Sequence, residues 1–280
     1  MKWRGRRGSR NIVDRRRSGG RAAAGGIGGL GLIIVLVLGL FFGVDVTPLL
    51  QGGYSEPERR EVSAQDDAMA QFVSVTLADT EEVWADIFRN QLGRTYDPPQ
   101  LVLFSGTTQS PCGGASTATG PFYCPADERA YLDTDFFMVL DRQLGAGGDF
   151  AAAYVIAHEV AHHVQQELGI LGQANAARQA AGQRRSNEIS VRIELQADCL
   201  SGIWARAAQA RFGSLEPGDL QEAINAAKEI GDDELQREAG RVVRPHTFTH
   251  GSSEQRQRWF IRGYESGDLQ ACDTFGTNRL

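Results

Sequence analysis

Apolar positions along the chain fall into three patterns. Residues 22–44 form an unbroken apolar run with no charge, long enough to cross a hydrocarbon core of about 30 Å as a helix. From Ser63 apolar residues recur at helical spacing: Met69, Phe72, Val73, Val75 and Leu77, then Val83, Trp84, Ile87 and Phe88. Asp79 or Thr80 can cap the second of these helices, with Glu81 and Glu82 in its first turn, and Pro98-Pro99 close the helical stretch. Two short runs, Leu101-Val102-Leu103-Phe104 and Arg129-Ala130-Tyr131-Leu132-Asp133, read as strands. Between them lies a long loop, 105–124, rich in Gly, Ser and Thr.

Helical periodicity returns at 135–144 and is broken by Gly145-Ala146-Gly147-Gly148. Asp149 suits the N-cap of the next helix, 150–168, whose alanines permit close packing. Residues 173–187 read as a mobile, polar helical excursion, and 187–210 as a second long helix. Pro217-Gly218-Asp219 opens another helix, 231–245 reads as variable and solvated, and a last helix runs over 256–264. The expected fold is α+β, mainly helical, with a small sheet.

Charge alters the reading of the N-terminus. Nine Lys/Arg precede residue 45, against the single acid Asp14, although the whole chain carries a formal −6. A basic tail directly before an apolar run points to a membrane anchor with its N-terminus in the cytoplasm, and no nucleic-acid partner is expected. No small-x-small cleavage site follows the run, which disfavours a signal peptide. The expected organisation is a disordered cytoplasmic tail (1–21), a transmembrane anchor (22–44), a linker (45–62) and a domain outside the cytoplasm (63–280), in the periplasm or at the cell surface. Four cysteines suit an oxidising compartment. Cys112–Cys124 would close the Gly/Ser/Thr-rich loop, leaving Cys199–Cys272; four reduced thiols are the alternative. No C-x₂₋₄-C pair exists for a four-cysteine zinc site.

The candidate chemistry lies in the 150–168 helix, which contains His158-Glu159-Val160-Ala161-His162. Four residues apart, the two imidazoles share a helix face and can meet one zinc ion. Glu159 stands beside the first ligand, free to act as general base. His163 points about 100° away and is excluded. An extended motif would need Gly at 165 and His at 168, where this chain has Gln165 and Leu168. A third ligand must come from elsewhere, and Glu194 is the best candidate, with Glu188 a weaker rival. Asp198, one turn on, can accept the free N–H of a ligating histidine. His250 and Arg256 are candidates to support an oxyanion or contact substrate, against the plainer reading of a loop histidine and a helix-surface arginine.

These residues together resemble the bacterial family of putative neutral zinc metallopeptidases with a short N-terminal anchor. The resemblance rests on Gly120-Pro121-Phe122-Tyr123-Cys124-Pro125-Ala126-Asp127, on residues 144–150 and 153–165, on Glu194-Leu195-Gln196-Ala197-Asp198-Cys199, and on residues 249–256. It implies a gluzincin-like zinc peptidase domain with one Zn²⁺ per chain, held by His158, His162 and Glu194. The chain is also distantly similar to another class of anchored zinc peptidases whose C-terminal His and Arg contact substrate, though Gly251 stands where those have Pro. In zinc proteases of this helical type, the strand corresponding to 129–133 commonly forms the upper edge of the cleft and pairs with an extended substrate. An interior strand without substrate contact is the alternative. The functional expectation is a membrane-anchored, extracytoplasmic peptidase acting on a peptide or protein substrate. Its rivals are a non-catalytic, zinc-stabilised peptide-binding or chaperone module and a zinc amidase acting on cell-wall peptide.

Overall fold

The computed structural model describes residues 1–17, 62–116, 119–142 and 144–280. The fold is α+β and mainly helical, with one small sheet and a hairpin beside it.

Helix α1, Ala64–Ile87, starts in a capping box between Ser63 and Asp66. Two helices divided near Asp79 were expected; one continuous helix is found. Asp79 and Thr80 are buried inside it and cap nothing. Thr80 donates its hydroxyl back to the Leu77 carbonyl at 2.7 Å, which satisfies it in mid-helix. The Asp79 carboxylate instead receives two bonds from the Arg6 guanidinium, at 2.6 and 2.7 Å.

The sheet runs β1 (Ile12–Asp14), β2 (Gln100–Phe104), β6 (Arg129–Asp133), β5 (Phe122–Cys124), with β3 (Thr107–Ser110) and β4 (Gly113–Ser116) forming the separate hairpin. β1 and β6 lie parallel to β2, whereas β5 runs antiparallel to β6. Strand 129–133 is therefore interior, and the cleft-side edge is β5. Both faces of the sheet are covered, which explains why its strands read as unbroken apolar runs. Leu101, Leu103, Ala130 and Leu132 face the helices, while Val102, Phe104 and Tyr131 join Ala115 and Cys124 in a second cluster.

After the short α2 (Phe136–Arg142) come α3 (Asp149–Glu167), α4 (Ile170–Ala180) and α5 (Gln183–Phe212). The chain closes with α6 (Asp219–Glu229), α7 (Asp232–Glu238) and α8 (Ser253–Ser266). Helix α3 is capped by Gly148; Asp149 is its first residue, not its cap. Small residues let α3 sit deep, with Phe150 stacked on Trp204 of α5. Helices α5 and α8 touch backbone to backbone: a Cβ on Gly202 would lie 2.0 Å from the Phe260 carbonyl oxygen, and one on Gly263 only 1.8 Å from that of Cys199. Both expected disulfides are formed, Cys112–Cys124 and Cys199–Cys272. The second ties the C-terminal tail to α5, where Gln196 also donates to the Cys272 carbonyl at 3.0 Å.

The N-terminal expectation is overturned. No helix among the described residues is long and apolar enough to cross a membrane. The 22–44 run lies outside the described residues, as does the linker up to residue 61. Residues 1–17 are an ordered strap folded on the domain, and Arg6, Arg7, Arg15 and Arg16 have partners there. Trp3 is buried edge-on against Phe72, and Lys2 donates its backbone N–H to the Ser214 carbonyl at 2.7 Å. Arg7 pairs with Glu82 at 2.9 Å, and the Asn11 amide donates to Glu81 at 2.9 Å. Arg16 donates to the Asp66 carbonyl at 2.8 Å and pairs with Asp67 at 3.2 Å. A cytoplasmic tail and a domain on opposite sides of a bilayer could not make these contacts. Composition misled because low hydrophobicity and high charge read as disorder, while the compensating acids of the domain lie 51 to 75 positions away.

Candidate metal centre

Helices α3 and α5 build the centre between them. α3 presents His158 and His162 one turn apart, with their rings edge-to-face at 4.9 Å. α5 presents Glu194, whose Oε2 lies 3.1 Å from His158 Nε2 and whose Oε1 lies 3.7 Å from His162 Nε2. One donor atom from each of the three residues falls within 4.8 Å of the others. A tetrahedral ion with bonds near 2.0–2.1 Å has ligands separated by about 3.3 Å, so the donor set matches zinc in identity and spacing. Glu188, the rival ligand, instead pairs with Arg184 and Arg185.

Both histidines are held by Nδ1, which leaves Nε2 turned toward Glu194, the third candidate ligand. His158 Nδ1 donates to Asp198 Oδ1 at 2.9 Å, and His162 Nδ1 donates to Gln165 Oε1 at 2.9 Å. Gln165, which spoils the extended motif, therefore has a role of its own. Its amide also donates to the Ile193 carbonyl at 2.8 Å and to Gln196 at 3.0 Å, fastening α3 to α5. His163 faces away as expected, between Tyr123 Oη at 3.0 Å and the Asp97 carbonyl at 2.7 Å, and pins β5 to α3.

The field of the site favours a cation. Burial alone would lower the His158 imidazole, yet its bonds to Asp198 and Glu194 push it up to about 10. Burial would raise Glu194, but His162 and His158 hold it well below the usual carboxylate range. What favours a proton here also favours a divalent ion. Glu159 is buried beside the ligands without joining them. Burial raises its carboxyl, against the opposing pull of His162 and His158, which suits a base that must hold and release a proton.

Arg256 and His250 part company. Arg256 is 2% exposed, and its guanidinium spans Asp198, with Nε to Oδ2 and Nη2 to Oδ1 both at 2.9 Å. Tyr154 donates to the same Asp198 oxygen at 2.5 Å. The α8 arginine is thus a buried support for Asp198, neither a helix-surface residue nor a free oxyanion donor. Burial would raise Asp198, but Arg256 and His158 hold it down at about 2. His250 does line the cleft with the three metal-binding candidates and Glu159. Its loop is built on Asp232 of α7, from the stretch expected to be solvated. Asp232 Oδ2 accepts the backbone N–H groups of Thr249 (2.7 Å), His250 (2.6 Å) and Gly251 (3.0 Å), and Oδ1 faces His250 Nδ1 at 3.3 Å. Three acidic residues at 232–234 opening a short helix were the available clue. Burial would lower the His250 imidazole; Asp232 and Glu194 raise it.

The cleft over this centre has a volume of about 670 Å³. The β5 edge and its approach, Pro121 to Tyr123, line one side, and Leu171, Asn175 and Arg178 of α4 another. Helix α4, expected as a mobile excursion, is thus part of the cleft wall.

Fold and donor set define a candidate zinc centre built from H-E-x-x-H and a distant glutamate. The chain belongs to the family described as "Putative neutral zinc metallopeptidase", whose pattern matches residues 1–275. It is 48% identical over 287 aligned positions to the uncharacterized protein YpfJ of Escherichia coli (strain K12), covering 99% of each chain. It is also 48% identical over 195 positions to the uncharacterized protein Rv2575 of Mycobacterium tuberculosis (strain H37Rv), covering 66% of this chain and 65% of that one. No solved structure matches.

Proposed function

We propose that this chain is a zinc-dependent peptidase that hydrolyses peptide bonds in the cleft over α3. The carrying observation is the meeting of His158, His162 and Glu194 at one point, with Glu159 buried beside them on the floor of an open cleft. His158, His162 and Glu194 would hold one ion, which supplies Lewis acidity and makes water reactive near neutral pH. Glu159 takes the proton of the attacking water and returns it to the leaving amine. His250, whose imidazole Asp232 and Glu194 raise against the effect of burial, would face the charge that develops on the carbonyl oxygen. Asp198, backed by Arg256 and Tyr154, fixes the tautomer and angle of His158. The outer edge of β5 offers backbone groups to an extended peptide, and Phe122 and Tyr123 flank it.

The test is Glu159→Gln in the full chain, with zinc content and cleavage of a peptide library measured side by side. Zinc should stay stoichiometric while the rate falls at least about 100-fold, as loss of a general base requires. Equal cleavage by the variant would overturn the mechanism. Cell-wall peptide, run in parallel, separates a peptidase from an amidase.

A further inference from the structure

We infer that Arg178 makes the α4 side of the cleft a carboxylate-binding subsite, which would give the chain a preference for peptides carrying an acidic side chain or a free C-terminus there. The inference rests on the peptidase reading for its substrate class. Arg178 lies in the last turn of α4, on the same face as Leu171 and Ala174. Those two are buried against Tyr123, Ile189 and Ile193, so this face is held against the cleft wall.

The guanidinium is poorly used by the protein itself. Its Nε is shut off from solvent and has no acceptor among the described residues. One Nη1 bond goes to Asn175 Oδ1 at 3.2 Å, within the same helix. A guanidinium offers five N–H donors in a planar fork that matches a carboxylate. Arg256, the other arginine lining the cleft, spends its fork on Asp198. Among the described residues no carboxylate pairs with Arg178. Arg178 lines the cleft, so an acceptor that arrives with a ligand can meet guanidinium donors the protein leaves unused.

The surroundings fit a carboxylate on an aliphatic stem. Leu171 and Ile193 supply apolar wall, Asn175 lies against Arg178, and Ser190 lines the same cleft. Ser190 stands one helical turn before Glu194 on α5, about 6 Å along the axis. An extended peptide advances about 3.3 Å per residue, so the subsite lies within a few residues of the bond over the centre.

The experiment uses the zinc-loaded full chain and matched peptides that differ only by Glu against Gln, or by a free against an amidated C-terminus. Cleavage is read as kcat/KM, and binding is read by calorimetry on the Glu159→Gln chain. The acidic member should be favoured about tenfold, the scale of a charge-assisted hydrogen bond. Arg178→Gln should remove the preference, and Arg178→Glu should turn it toward Lys. The Glu/Gln pairs and the C-terminal pairs separate the two sources of carboxylate. Equal binding of both members, with no change in Arg178→Glu, overturns the subsite whatever the cleavage result. Arg178-dependent binding without turnover would uphold the subsite and defeat the peptidase reading instead.

Discussion

Asp198 and Arg256 lie side by side in the protein interior, joined by two bonds of 2.9 Å. Neither side chain is more than 3% exposed. The pair is the foundation of His158, since the Asp198 oxygen that accepts from Arg256 Nη2 also accepts from the imidazole. Asp198→Asn keeps the shape and removes the charge. Zinc affinity should fall about 10- to 100-fold, as for other partners of metal-ligating histidines. Competition with a chelator of known affinity measures it, and an unchanged dissociation constant would remove Asp198 from the metal-supporting role.

Glu194→Ala removes a donor that neither histidine can replace. Metal content after dialysis should drop well below one ion per chain, as assayed by elemental analysis, while circular dichroism keeps the helical signal. Retention of a full equivalent of zinc would send the search for a third ligand elsewhere.

Asp232 should set the alkaline limit of activity. The His250 imidazole is raised in the fold, so its cationic form persists to higher pH than an ordinary histidine. Activity that needs the cation falls as pH climbs through that raised value. Asp232→Asn removes one of the raising influences, so the alkaline limb of kcat/KM should move to lower pH. It also loosens the loop, because Asp232 accepts three backbone N–H groups there. A Thr249→Ser control leaves those backbone bonds in place and should not move the limb.

Arg6→Ala tests the strap. Asp79 would be left buried and charged, a loss of about 3 kcal/mol in unfolding free energy. Burial already raises the Asp79 carboxyl to about 6, with Arg6 pulling the other way. Without Arg6 that value climbs further above the unfolded carboxyl. The folded variant then takes up a proton as pH falls, which relieves the buried charge. Chemical denaturation should show a larger loss at pH 8 than at pH 5. An equal loss at both would mean that the Arg6–Asp79 pair is not the source.

The parts legible in the sequence are those set by one helix at a time. His158, Glu159 and His162 follow from spacing within α3, and Glu194 with Asp198 from spacing within α5. The disulfide at Cys112–Cys124 follows from a short loop. What pattern alone could not reveal depends on elements meeting. Nothing local to either helix marks Gly202 and Gly263 as the points where α5 and α8 touch. That contact lets α8 lie close enough for Arg256 to reach Asp198. Gln165 read only as a broken motif, because the acceptors of its amide, Ile193 and Gln196, sit on another helix. The strap was hidden for the same reason, since its partners on the domain lie 50 or more positions away.

The strap also governs the order of assembly. Lys2, Trp3, Arg6 and Ile12 precede in the chain every group that receives them: Phe72, Asp79, Leu101 and Ser214. A chain emerging from the ribosome has therefore made most of α1, β2 and α5 before its earliest residues have a complete seat. Contacts of such long sequence separation form slowly, because the loop between them must close first. Docking of the strap is expected as a late step in folding, with Trp3 fluorescence trailing the helical signal during refolding.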